Sequence, residues 1–171
     1  SGILNFQSTR QVALVRMELT APKATTWTSV SLESDASFTT EAVMNLSLAT
    51  PTLVSKNTSN SVTLALANVE TTSDNFGIIA YMMLLPVDLT NKKLMVKLTD
   101  NEGNVYVSVA SITNNKTNFS ANGARWVTAN DFKLYEKPDY SWYSSQALSY
   151  GINTAGQFLA FAKLVNGDAD A

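Results

Sequence analysis

The chain contains no cysteine and no histidine among its 171 residues. Those two absences remove thiol nucleophiles, disulfides, histidine-based triads and the usual zinc sites together. Charge is scarce as well: Asp, Glu, Lys and Arg make up 15% of the residues and the formal net charge is -2. Neither the cationic footprint of a nucleic-acid binder nor the repelling charge of a disordered tail is present. The sequence shows no apolar run long enough to span a bilayer and no signal-peptide pattern, so the expectation is a cytosolic chain or the mature or trimmed form of an exported one. What the chain does have is 45% hydrophobic residues, sufficient at this length for one good core. Ser, Thr and Asn crowd the gaps between the apolar runs, as in β-rich proteins whose exposed strand faces carry hydroxyls.

Period-two alternation dominates. In Val12 to Leu19, Ala13, Val15, Met17 and Leu19 share one face and Arg16 and Glu18 the other, which predicts a half-buried first strand. Trp27 to Leu32 puts Thr28, Val30 and Leu32 in phase, and Phe38 to Leu48 continues with Met44, Leu46 and Leu48; the intervening ESDAS reads as a turn cluster. Val62, Leu64 and Leu66 form the next strand, introduced by the polar KNTSNS. Gly77 to Leu85 (GIIAYMMLL) is apolar at every alternate position on both faces, the pattern of a central strand covered on both sides. Pro86 ends it. Leu94, Val96 and Leu98 alternate with Met95, Lys97 and Thr99, and Val105, Val107 and Val109 with Tyr106, Ser108 and Ala110, with DNEGN between them as a hairpin turn. Short strands follow at Arg125 to Val127 and Phe132 to Tyr135. Such spacing, with no amphipathic helix pattern before residue ~150, predicts an all-β antiparallel β-sandwich.

The tail differs. Lys137 to Tyr150 reads as an aromatic and serine-rich linker. Thr154 and Gln157 then have capping-box spacing, Phe158, Phe161, Ala162 and Val165 recur at helical intervals, and Asn166-Gly167 is a stop, so one short C-terminal α-helix is expected. Its apolar face has nothing in its own segment to bury against. It either docks on the sandwich or opens a further domain.

From about Ile3 to Tyr135 the chain resembles the fimbrillin-like proteins of Bacteroidetes, through LNFQSTRQVALVRMEL, TSVSLES, SVTLALAN and above all LLPVDLTNKKLMVKLTDNEGNVYVSV. The resemblance implies a transthyretin-like, Greek-key type β-sandwich, export as an outer membrane lipoprotein, and use in fimbriae (pili) or cell adhesion. The tail YGINTAGQFLAFAKLVNGDADA resembles the lead-in to the β-helical regions of GLUG-repeat surface proteins. On this basis the expected organisation is a sandwich domain over 1-136, a linker over 137-150, and a short helix over 151-171 as the start of a further, β-helical domain.

Several residues have a functional and a plainer reading. Asp100, Glu102 and Asn104 around Gly103 offer oxygens to Ca²⁺, but their spacing departs from the EF-hand loop and a hairpin turn needs the same residues. Paired carboxylates suited to glycoside hydrolysis are not set in apolar surroundings; even Glu18 points away from its neighbours Met17 and Leu19, and no catalytic role is expected. Trp27 and Trp126 lie in strands and read as core. Trp142, with Tyr140 and Tyr143, lies in the hydrophilic linker and is the best contact surface; its plainer reading is packing that pins the C-terminal segment. Asn45, Asn57, Asn115 and Asn118 stand in Asn-x-Ser/Thr triplets at about the frequency this composition produces by chance. Fimbrial assembly, in the family resembled, proceeds by strand donation. The first strand, with Val12, Leu14, Arg16 and Glu18, is the segment for such exchange here, and Arg10 ahead of it offers an arginine-protease site. The functional expectation is a non-catalytic, cofactor-free cell-surface adhesion or fimbrial-type protein. Its partners would be other surface subunits, host or bacterial receptors, or a glycan, with no nucleic acid and membrane attachment only through a lipid anchor outside this chain. The alternative is a carbohydrate-binding sandwich module of a secreted glycan-processing protein.

Overall fold

The computed structural model describes residues 10–45, 52–144, 146 and 149–167. They fall into two compact units, Ser1–Lys133 and Leu134–Ala171. The first is all-β. In chain order its strands are β1 (Ala13–Thr20), β2 (Thr25–Asn45), β3 (Thr52–Thr71), β4 (Gly77–Leu84), β5 (Val87–Asp88), β6 (Leu94–Asp100), β7 (Val105–Val109), β8 (Ser111–Ile112), β9 (Asn118–Phe119) and β10 (Ala124–Ala129), with β11 (Lys133–Leu134) at the boundary. They build a four-stranded sheet, β4-β1-β10-β8, a five-stranded sheet, β11-β7-β6-β2-β3, and the small pair β5-β9.

Alternation buries one face of each main sheet. Ala13, Val15, Met17 and Leu19 of β1, Ile78, Ala80, Met82 and Leu84 of β4, and Leu94, Val96 and Leu98 of β6 join Trp27, Leu32 and Phe38 in one core cluster. Trp27 lies fully inside, edge-on to Tyr106 at 5.5 Å, and its indole N–H donates to Thr71 Oγ1 at 3.1 Å. Turns and loops rely on Asn where many proteins use Gly: Asn75, Asn91, Asn114, Asn115 and Asn122, with Asp131, all hold positive φ, as does Asn68 at the register break inside β3.

The strands depart from the sequence reading in several places. Gly77–Leu84 is an edge strand, and its second apolar face is bare: Ile79, Tyr81 and Met83 are 57%, 56% and 69% exposed. The double alternation therefore did not mean two covering layers. β1 lies between β4, to which it runs antiparallel, and β10, to which it runs parallel, so the sandwich is not uniformly antiparallel. ESDAS is no turn: Leu32, Ser34, Ala36 and Phe38 keep the inward phase through it, with a register shift against β3 between Glu33 and Phe38. Small buried side chains hold the alternation where apolar ones were sought. A bulge at Thr28 also turns Trp27, rather than Thr28, inward with Val30. The polar KNTSNS is likewise part of β3, paired with β2 beyond the end of β6. Finally, β7 buries Ser108 and packs Tyr106 against the core while Val109 is exposed. Leu46 and Leu48 lie outside the described residues.

In the second unit α1 (Ala155–Asn166) starts at Thr154, whose Oγ1 accepts from Gln157 N at 3.2 Å, while Gln157 Oε1 accepts from Asn153 N at 2.9 Å. Gly167 closes it in the left-handed region with φ 70°. The helix does have partners in its own segment: Trp142 stands 6.5 Å from Phe161 between ring centroids. A side chain at Gly156 would meet the Lys137 carbonyl oxygen at 2.8 Å, which fixes glycine at that close approach.

Candidate functional site

Three places draw the predicted residues. The first is the DNEGN hairpin between β6 and β7. Asp100 ends β6 with its side chain fully buried and both oxygens committed. Oδ1 accepts from the backbone N–H of Glu102 at 3.0 Å and of Asn104 at 2.8 Å; Oδ2 accepts from Asn104 Nδ2 at 3.0 Å and faces Lys23 Nζ at 2.9 Å. Gly103 takes φ 84° at the tip. Burial by itself would raise the Asp100 pKa, but the Lys23 ammonium and the Asn104 donors outweigh it and hold the carboxyl below the ordinary range. Lys23 is raised in turn, first by its bond to Asp100, and its ammonium stands 5.4 Å from the Tyr106 ring centre. Asp100, Glu102 and Asn104 are thus brought together, with Asp100 directed at donors of the turn and at a lysine.

The second is the aromatic cluster of the C-terminal unit. Trp142 meets Tyr150 edge-on at 5.1 Å and Tyr143 at 6.1 Å, and Tyr143 stacks on Tyr150 at 5.6 Å. With Phe161, Leu164 and Val165 they line an open, largely apolar recess of about 190 Å³. Tyr140 is half-buried beside this group, and its hydroxyl, like the Trp142 indole N–H, is buried with no protein partner. Trp142, the predicted contact residue, is therefore half-enclosed by its neighbours, whereas Tyr143 is 46% exposed.

The third is the four-stranded sheet. Both backbone edges of β1 are paired: Leu14, Arg16 and Glu18 face Met83, Tyr81 and Ile79 of β4 on one side and Ala124, Trp126 and Thr128 of β10 on the other. Val12, just before the strand, accepts from Asn122 N at 3.0 Å. Leu14, Arg16 and Glu18 lie on the outer face, with Arg16 ion-paired to Glu18; the residues a groove would receive are Ala13, Val15, Met17 and Leu19, at 0–2% exposure. The outer face adds residues the sequence reading did not single out. Trp126, read as core, is 46% exposed and shares a row with Arg16 and Tyr81. The available signal was Arg16 itself: a charged residue in an interior strand marks the solvent face, and its cross-strand neighbours share that face.

Against known proteins, no family model matches the chain and no curated protein matches it. A crystal structure of a "putative cell adhesion protein" from Bacteroides ovatus ATCC 8483 is similar at 15% identity and a TM-score of 0.38, over 77% of this chain and 47% of that one. This chain thus spans about half of that protein's length. Among the described residues no helix is long and apolar enough to cross a membrane, which leaves strands unaddressed.

Proposed function

We propose that the protein is a non-catalytic, cell-surface adhesion or fimbrial-type structural protein of a Bacteroidetes bacterium, acting through protein–protein contacts that include exchange of β1. The observation that carries this reading is the position of β1. It is the first strand among the described residues, it lies inside a sheet rather than at its edge, and it presents four inward side chains to the core. Withdrawing it would open a slot between β4 and β10 with unpaired backbone on both walls, which a strand from a second subunit fills by the same hydrogen bonds and the same alternation. Arg10, exposed just ahead of β1, is where a cut would release the strand's leading end. The sequence resemblance to fimbrillin-like proteins supports the same reading and adds surface attachment through a lipid anchor.

Limited cleavage of the folded chain at Arg10 with an arginine-specific protease, checked by mass and stopped with an inhibitor, then light scattering across a concentration series, tests it. Conversion of monomer to concentration-dependent assemblies, capped by a synthetic peptide of residues 11–20, is the expected result. A clipped chain that stays monomeric and ignores the peptide rules strand exchange out.

A further inference from the structure

The outer face of the four-stranded sheet carries a set of side chains that strand exchange does not use. One cross-strand row reads Tyr81, Arg16, Trp126. Neighbouring strands lie about 4.8 Å apart, so the two aromatic residues are rooted about 10 Å apart with Arg16 between them. Tyr81 is 56% and Trp126 46% exposed, while the Arg16 side chain is only 26% exposed and is ion-paired to Glu18 in the next row. Beyond Glu18, Thr20 donates its hydroxyl to Asn130 Oδ1 at 2.7 Å. Arg16, Glu18, Thr20, Thr128 and Asn130 line an open groove of about 360 Å³, and at its end Gly77 has nothing within 4 Å of the position a Cβ would take.

We propose that this face binds a neutral oligosaccharide, with pyranose rings seated on Tyr81 and Trp126 and their hydroxyls bonded to the Arg16–Glu18 pair between them. A pyranose has an apolar C–H face and a rim of hydroxyls, so it needs a flat aromatic surface beside groups that donate and accept in fixed directions. The row supplies both kinds in alternation. The separation of the rings suits sugars at alternate positions of an extended chain. Arg16 and Glu18 cancel each other's charge, which favours a neutral ligand over a polyanion. Tyr, Trp and Arg are also common at the centre of protein interfaces, but Glu is depleted there, and Glu18, paired with Arg16, stands on the interior strand in the middle of the patch. The site belongs to the chain with β1 in place, so its test needs no strand exchange.

Affinity electrophoresis of the full chain in gels containing β-glucan, xylan, galactomannan or hydroxyethylcellulose, with dextran sulfate as the charged control, tests the proposal. Retardation by at least one neutral polysaccharide is expected and none by dextran sulfate. Trp126→Ala and Tyr81→Ala should each weaken it about tenfold, Tyr81→Phe should retain it, and Trp142→Ala, in the other unit, should leave it unchanged. In the unaltered protein the retarding saccharide should also shield tryptophan fluorescence from acrylamide, since Trp126 is more exposed than the buried Trp27 and half-buried Trp142. No retardation by any of the four neutral polymers overturns the proposal, as does retardation indifferent to both alanine variants. Self-association that both alanine variants abolish, in a chain no neutral polymer retards, would overturn it by assigning the face to contact between copies.

Discussion

The two main sheets bury their inner faces by the same rule and treat their outer faces in opposite ways. In the middle of the five-stranded sheet the outward side chains satisfy one another: Ser31 and Thr63 share a hydrogen bond at 2.8 Å across β2 and β3, and Lys97 of β6 pairs with Glu33 of β2. The four-stranded sheet instead turns Ile79, Tyr81, Met83 and Trp126 outward around a single ion pair. Water solvates the first surface without loss. The second leaves contiguous apolar area in water, which isolated domains seldom keep unless something is to cover it.

The largest effects should not distinguish the sheets at all. Trp27→Ala from the five-stranded sheet and Met17→Ala from the four-stranded sheet each empty a fully buried position and should cost about 2–5 kcal/mol in urea unfolding. An unchanged midpoint for either would show that the sheets do not share one core. Next comes Asp100→Asn, which keeps the shape but removes the charge opposite Lys23; a loss of about 1–3 kcal/mol is expected. Since the Asp100 pKa is depressed on folding and the Lys23 pKa is raised, their contribution is complete between about pH 4 and about pH 10. It is lost as pH falls through the depressed Asp100 value, and again as pH rises through the raised Lys23 value. Thermal melts of the Asn variant should therefore converge on the parent's in acid. On the outer faces, breaking the half-exposed Lys97–Glu33 pair should cost only about 0.2–1 kcal/mol in a double-mutant cycle. Smallest of all, Met83→Lys should shift stability by less than about 0.5 kcal/mol while raising the concentration at which the protein stays monodisperse. If it unfolded the domain instead, the outer face of β4 would be structural rather than a surface held for a ligand.

That contrast also explains which parts of the fold were legible. Where inward residues are large and apolar and outward ones polar, as in Ala13–Thr20 and Leu94–Asp100, alternation named the strand and its buried face correctly. It failed where either half of the signal was missing. Ser34 and Ala36 are buried but small, so a continuous strand looked like a turn; Ile79, Tyr81 and Met83 are apolar but exposed, so an edge strand looked central. Sheet order was invisible, because the pairing of β1 with β10 depends on contacts across the whole first unit and leaves no local mark. The helix ends could be read from Thr154, Gln157 and Gly167, since caps are local chemistry. The turn role of Asp100 was legible for the same reason, whereas its partner Lys23 lies in a distant loop. The outer row of Tyr81, Arg16 and Trp126 exists only once three strands have been placed side by side.

The parallel pairing of the first strand with a late one sets an order of events during synthesis. Leu14 finds its partner Ala124 only 110 positions later in the chain, the separation also spanned by the Thr20–Asn130 bond. Until β10 leaves the ribosome, β1 can pair with β4 alone, and its other side stays open to any extended segment nearby. Closing so distant a contact is slow compared with forming a hairpin such as β6–β7. The nascent chain therefore passes through an interval in which a half-built sheet exposes one strand's edge, and a chaperone that binds extended segments would find its substrate there.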